Sequence, residues 1–78
     1  MFAKEVFNDP WLVEQMDTRL DYGETRWRTV GEVDGVLLLV VYTERLDAIR
    51  VISARKANRH EREDYETHRY LEDPRGRS

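Results

Sequence analysis

The sequence predicts an α+β domain, an antiparallel sheet of three to four strands packed by a C-terminal helix and a short N-terminal helix. Residues 26 to 33 alternate polar and apolar, and residues 36 to 42 form the one strongly apolar run. Between them stands Asp34-Gly35, a pair favoured in two-residue hairpin turns because both central residues take positive φ. Further along, Asn58 followed by Glu61 has the spacing of a capping box, where each side chain satisfies a backbone N–H at a helix start.

The remaining elements follow in order. Phe2, Ala3, Val6 and Phe7 are spaced to form one apolar face of a helix barely two turns long. Asp9-Pro10 stops it, because proline disfavours the α region for the residue before it. Trp11 to Met16 reads as a short strand with Trp11 and Val13 on one face, and the polar segment 17 to 25 reads as a loop. The run from Val36 to Tyr42 is apolar on both faces, the pattern of a central strand covered on both sides, one of them by a helix. Residues 44 to 47 turn the chain, and Ala48 to Ala54 return as a strand. If Thr43 pairs with Ala48, Val41 lies opposite Arg50, with Glu44 near the same edge. A helix from Arg59 to about Leu71 closes the fold, with Arg62, Tyr65 and Arg69 sharing a face and the stretch from Glu61 to His68 mostly solvated. The expected organisation is one domain over 1–71 with a disordered tail over 72–78.

A chain of 78 residues buries only about 60 to 65% of its unfolded surface, so its core is small. Without cysteine there is neither a disulfide framework nor a thiolate metal site, and two isolated histidines make no metal or catalytic site. We expect no cofactor and no metal. No segment reaches the roughly 20 apolar residues of a membrane span, and the start lacks the basic-then-apolar order of a signal peptide. A cytoplasmic location is the expectation. The net charge of −3 hides an asymmetry. Residues 1 to 49 hold five basic groups against ten acids, while the segment from Arg50 to Arg62 holds five basic groups against one acid. A local positive surface therefore coexists with an acidic average.

Several of these cations are candidates for chemistry. Arg26 and Arg28 project from one face of a half-buried strand, either into solvent or, for Arg26, onto a phosphate. Arg50 interrupts an apolar strand and needs an anion or a carboxylate. One reading pairs it with Glu44 or another acid across the hairpin. The other uses the same geometry for catalysis, with Glu44 as general base on a ribose 2′-OH and Arg50 stabilising phosphate charge. Arg55, Lys56, Arg59 and Arg62 lead into the capped helix, whose free N–H groups favour anions. They are either a solvated face or a track for an RNA backbone. Tyr65 either packs on the sheet or stacks on a base.

Four segments resemble the BrnT family of type II toxin–antitoxin ribonucleases: VFNDP at 6–10, YGETRWRTVGEV at 22–33, LLVVYTER at 38–45 and IRVISARKANRHEREDYE at 49–66. The resemblance implies a RelE-like fold and a metal-independent endoribonuclease that cleaves RNA to arrest translation. It also implies a ribbon-helix-helix antitoxin as partner, with promoter DNA bound only through the antitoxin complex. Carried over by position, the family's functional acid and arginine fall on Glu44 and Arg50, supported by Arg26 and Arg55. Two departures stand out. Family members usually begin with a strand and a helix bearing Trp-Asp and Lys-His-Gly motifs, whereas this chain starts inside the following helix, as an N-terminally shortened member would. Leu46 also stands where the family often has Gly. Two functions are therefore expected as alternatives, a ribonuclease toxin or a catalytically inactive homologue acting as an antitoxin-binding or co-repressor module.

Overall fold

The computed structural model describes residues 3–17 and 25–72. Within them a 3₁₀ helix (Ala3–Asn8) precedes four strands, β1 (Val13–Met16), β2 (Trp27–Val33), β3 (Val36–Arg45) and β4 (Ala48–Lys56), and a final helix, α1 (Arg59–Glu72). The strands form one antiparallel sheet in the order β1-β2-β3-β4. This is the α+β architecture expected from the sequence, with four strands rather than three. The short first helix takes the tighter 3₁₀ form, which suits a six-residue segment too short to propagate an α-helix. Most of the loop expected over 17–25, and the tail expected from 72 apart from Glu72 itself, lie outside the described residues.

The β2–β3 hairpin is built as the sequence reads. Val33 pairs with Val36 and Trp27 with Tyr42, around Asp34 and Gly35 at φ 50° and 80°. Apolar residues on both faces of β3 then serve two small cores. On one face Leu37 and Leu39 pack with Val13, Val30 and Ala57 beneath Tyr65 of α1. On the other, Leu38 and Val40 pack with Val33, Val51 and Ala54 beneath Ala3 and Val6 of the 3₁₀ helix. Tyr65, Val6 and Val40 have almost no exposed surface. Tyr65 therefore packs rather than stacking on a base.

The β3–β4 hairpin differs from its expected register. Arg45 pairs with Ala48, Thr43 with Arg50 and Val41 with Ser53, so β3 runs past its apolar stretch and the expected four-residue turn shrinks to Leu46-Asp47. Both turn residues take positive φ, 48° and 68°, the twist that lets a two-residue loop join antiparallel strands. Neither is glycine, so each carries a strain of order 1–2 kcal/mol for an ordinary residue, less for aspartate. A β-bulge between the Val41 and Tyr42 rungs leaves Ile52 as an extra residue on β4.

One carboxylate fixes the junction of the first helix, β2 and α1. Asp9 Oδ1 accepts the Trp11 N–H at 2.8 Å, and Oδ2 accepts the Glu32 N–H at 2.8 Å and the Tyr65 hydroxyl at 2.6 Å. Burial pushes the Asp9 carboxyl up, but those hydrogen bonds and the charge of Arg69 hold it below its ordinary value. Gly31 lets the 3₁₀ helix sit directly on β2, since a Cβ there would lie 3.0 Å from both the Cβ and the carbonyl oxygen of Val6. Gly31→Ala is expected to lower stability by about 1–3 kcal/mol in denaturant unfolding, the usual cost of overpacking. Leu46→Gly, at a fully exposed turn position, is expected to raise stability by up to about 1 kcal/mol by relieving the left-handed backbone.

Candidate nucleic-acid interface

The face of the sheet that carries α1 also carries arginines. Along β2 and β3, alternation sends Arg28, Val30, Leu39, Val41 and Thr43 to this face. Arg55 lies opposite Leu39 and shares it. Arg50 reaches the same face only because of the bulge. Without the extra residue, strict alternation back from Ala54 would turn Arg50 toward the 3₁₀ helix. With it, Arg50 stands beside Thr43. Arg26 immediately precedes β2 and is half-buried.

Glu44 goes the other way. It pairs with Ile49, one rung from Thr43 and Arg50, so its side chain leaves the opposite face. There it joins Tyr42, whose hydroxyl donates to Glu14. Burial, the bond to Glu14 and the nearby charge of Glu44 all push the Tyr42 phenol up. The structure therefore does not bring Glu44 and Arg50 together, either as an ion pair or as a base beside a phosphate ligand. Arg50 is exposed and has no ion-pair partner among the described residues.

The basic run at the start of α1 divides by role. Arg55 makes a two-pronged pair with Glu61, Nη1 to Oε1 at 2.8 Å and Nη2 to Oε2 at 2.9 Å. Arg28 donates from Nη2 to the same Oε2 at 3.0 Å. Glu61 also completes the capping box, accepting the Asn58 N–H at 2.8 Å while its own N–H donates to Asn58 Oδ1 at 2.9 Å. Arg62 folds back to donate to the Ala57 carbonyl, and Arg59 pairs along the helix with Glu63. Lys56 is exposed. Glu61 itself is 8% exposed, although the stretch from Glu61 to His68 is mostly solvated, as expected. That stretch has an inward face made of Glu61, Asp64 and Tyr65, and the charged composition hides it. Burial pushes the Glu61 carboxyl up, but hydrogen bonds from Arg55 and the Asn58 backbone, with the charges of Arg55 and Arg28, hold it below its ordinary value.

Between this inward face and β1–β2 lies a cleft of about 260 Å³. Its floor is Val13, Val30, Leu39 and Tyr65, and its rim includes Gln15, Arg28, His60 and Asp64. His60, expected from the sequence to belong to no metal or catalytic site because a histidine on a charged helix has no partner visible by spacing, lines this cleft. The offset from Asn58 was the available signal, since the second residue after a cap lies in the helix's first turn, where the chain leaves β4. Among the described residues no three His, Cys, Asp or Glu side chains converge to hold a metal ion. None of the helices described is long and apolar enough to cross a membrane.

The sequence-family model described as "Ribonuclease toxin, BrnT, of type II toxin-antitoxin system" matches residues 1–61. No curated protein and no solved structure matches the chain.

The depressed Glu61 and Asp9 carboxyls fix the sign of the pH dependence. Their contribution is fully present above the unfolded values, near 4.5 and 3.8, and is lost as pH falls through the lower folded ones. Thermal unfolding should thus show a flat neutral plateau and a falling acid limb, and Glu61→Gln should flatten part of that limb. Glu61→Ala is expected to cost about 3 kcal/mol at neutral pH, the low end for a broken buried pair because Arg55 is half exposed.

Proposed function

Because the chain belongs to the BrnT family of ribonuclease toxins of type II toxin–antitoxin systems, we propose that it cleaves RNA to arrest translation, binding the strand along the arginine-bearing face of its sheet. The observation that carries this reading is the common face of Arg28, Arg50 and Arg55, with Arg26 at its margin. The first and last of these are partly neutralised by Glu61. Arg50 is not, and is the strongest candidate for a direct phosphate contact. Arg59 extends the positive surface at the start of α1, Lys56 opposite Leu38 leaves from the other face of the sheet, and Arg62 serves the joint between β4 and the helix.

Cleavage by this route uses the ribose 2′-OH. A base removes its proton, the oxygen attacks the adjacent phosphorus, and the bond to the 5′-oxygen breaks as that oxygen gains a proton. A 2′,3′-cyclic phosphate and a free 5′-OH result. Arg50 stabilises the charge gathered on the phosphate oxygens. Glu44, on the far face, is a poor fit for the base, and Glu61 is held ionised by two arginines and serves structure. His60 at the cleft mouth is the better candidate for proton transfer, histidine being the side chain most often used for it. A ribbon-helix-helix antitoxin neutralises the toxin in this reading, and promoter DNA is bound through their complex.

A second reading is favoured by one specific observation, the separation of Glu44 from Arg50. If neither His60 nor another group supplies the base, the chain is an antitoxin-binding or co-repressor module. Purified protein incubated with RNA and EDTA separates the two. The toxin cleaves, and its expression arrests growth until the antitoxin is supplied. The module binds the antitoxin and leaves RNA intact. Arg50→Ala is expected to lower cleavage at least about tenfold, the loss of one charge-assisted contact. His60→Gln is expected to lower it by roughly 100-fold while RNA affinity is kept. Unchanged cleavage by both variants would overturn the site.

A further inference from the structure

Apart from Arg28 and His60 on its rim, the cleft beneath α1 has a composition that the cleavage chemistry does not use. Its floor is apolar and backed by the buried ring of Tyr65, while its rim carries groups of both signs, Arg28 opposite the acids of α1. The side chains of Gln15, His60 and Asp64 make no hydrogen bond to another described residue, although Asp64 is half-buried. Arg28 gives only Nη2 to Glu61, and its Nε is buried without a partner. A site with apolar walls, an uncommitted carboxylate and an arginine with spare donors suits a flat neutral group that offers donors on one edge and acceptors on another.

We infer that this cleft binds a single guanine base of the RNA, with Asp64 accepting from its N1–H and N2 amino group and Arg28 donating toward O6 and N7. The inference rests on the RNA-cleaving reading and adds a base preference to it. Guanine is the one common base with two adjacent ring-edge donors, which a single carboxylate can accept together, and arginine's fork matches its O6 and N7. Adenine and cytosine each bring only one exocyclic amino group, and uracil brings one N–H flanked by two acceptors. A lysine or arginine of a protein partner would satisfy Asp64 but would meet the positive charge of Arg28. A phosphate would meet Asp64 and Glu61. The volume of about 260 Å³ lies just under the roughly 300–1,000 Å³ of small-molecule clefts, as expected for one base rather than a dinucleotide.

The test is an NMR titration of the full chain with 5′-GMP, 5′-AMP, 5′-CMP, 5′-UMP and inorganic phosphate, together with the cut sites mapped on a mixed-sequence RNA. Expected results are perturbation of Gln15, His60 and Asp64 resonances by GMP at concentrations at least about tenfold below those AMP requires, no such effect from phosphate, and cuts clustered beside guanosines. Asp64→Asn should remove the preference for GMP while an unchanged melting temperature shows that the fold is kept. Equal response to all four nucleotides, the same response to phosphate, or displacement of GMP by a lysine-rich peptide with unbiased cut sites would overturn the guanine pocket. Binding is read without turnover, so the two ideas fail separately. GMP selectivity without cleavage would leave the pocket standing and sink the ribonuclease reading. Cleavage with no base preference in either assay would do the reverse.

Discussion

The carboxylate of Glu61 is the group on which the arrangement depends. It accepts from Arg28 on β2, from Arg55 on β4 and from the backbone of Asn58, so a single side chain joins two strands to the start of the helix that crosses them. Burying an ion costs several kcal/mol unless its lone pairs are filled, and here four hydrogen bonds fill them. Little else holds the first turn of α1. Tyr65 is the helix's one fully buried apolar side chain, and Tyr70 and Leu71 are exposed. A helix with so small an apolar stripe needs a polar anchor, and the same anchor sets where Arg28 and Arg55 stand.

Asp9 plays the matching part at the middle of the helix, taking the Tyr65 hydroxyl, the Glu32 amide and the exit of the 3₁₀ helix. The two carboxylates lay α1 over only part of its sheet face. The rungs toward the β3–β4 turn, with Val41, Thr43, Ser53 and Arg50, lie beyond the helix's start. Phosphate binding on this account sits in the uncovered remainder, and the bulge at Ile52 decides its charge by turning Arg50 into it. The opposite face, with Glu14, Tyr42 and Glu44, is acidic and capped by the 3₁₀ helix, where Phe7 meets Tyr42 edge to face at 5.1 Å.

What could be read from the residues follows a physical division. Asp34-Gly35, the two-faced apolar β3 and the Asn58–Glu61 box were legible because each is a local preference with a distinctive chemistry. The β3–β4 register was not, since Leu46-Asp47 carries none of the turn residues that announce positive φ, and a bulge leaves no compositional trace. Because β3 runs on through Glu44 instead of turning there, alternation sends Glu44 to the face opposite Arg50. The inward side of α1 was hidden for another reason: its anchor is a charged residue, and hydrophobic periodicity reports only the single Tyr65. The arginines on the sheet face were recognisable as unusual, but whether Glu61 already satisfied Arg55 depended on contacts between residues six apart across a chain reversal.

The central claim, that RNA lies on the face bearing Arg28 and Arg50 rather than on the face bearing Glu44, is tested most directly by amide chemical-shift mapping with an RNA that cannot be cut because its 2′-hydroxyls are methylated. The account predicts perturbations at Gln15, Arg28, Arg50, Ser53 and His60. Perturbations centred on Glu14, Tyr42, Glu44 and Val51 would contradict it.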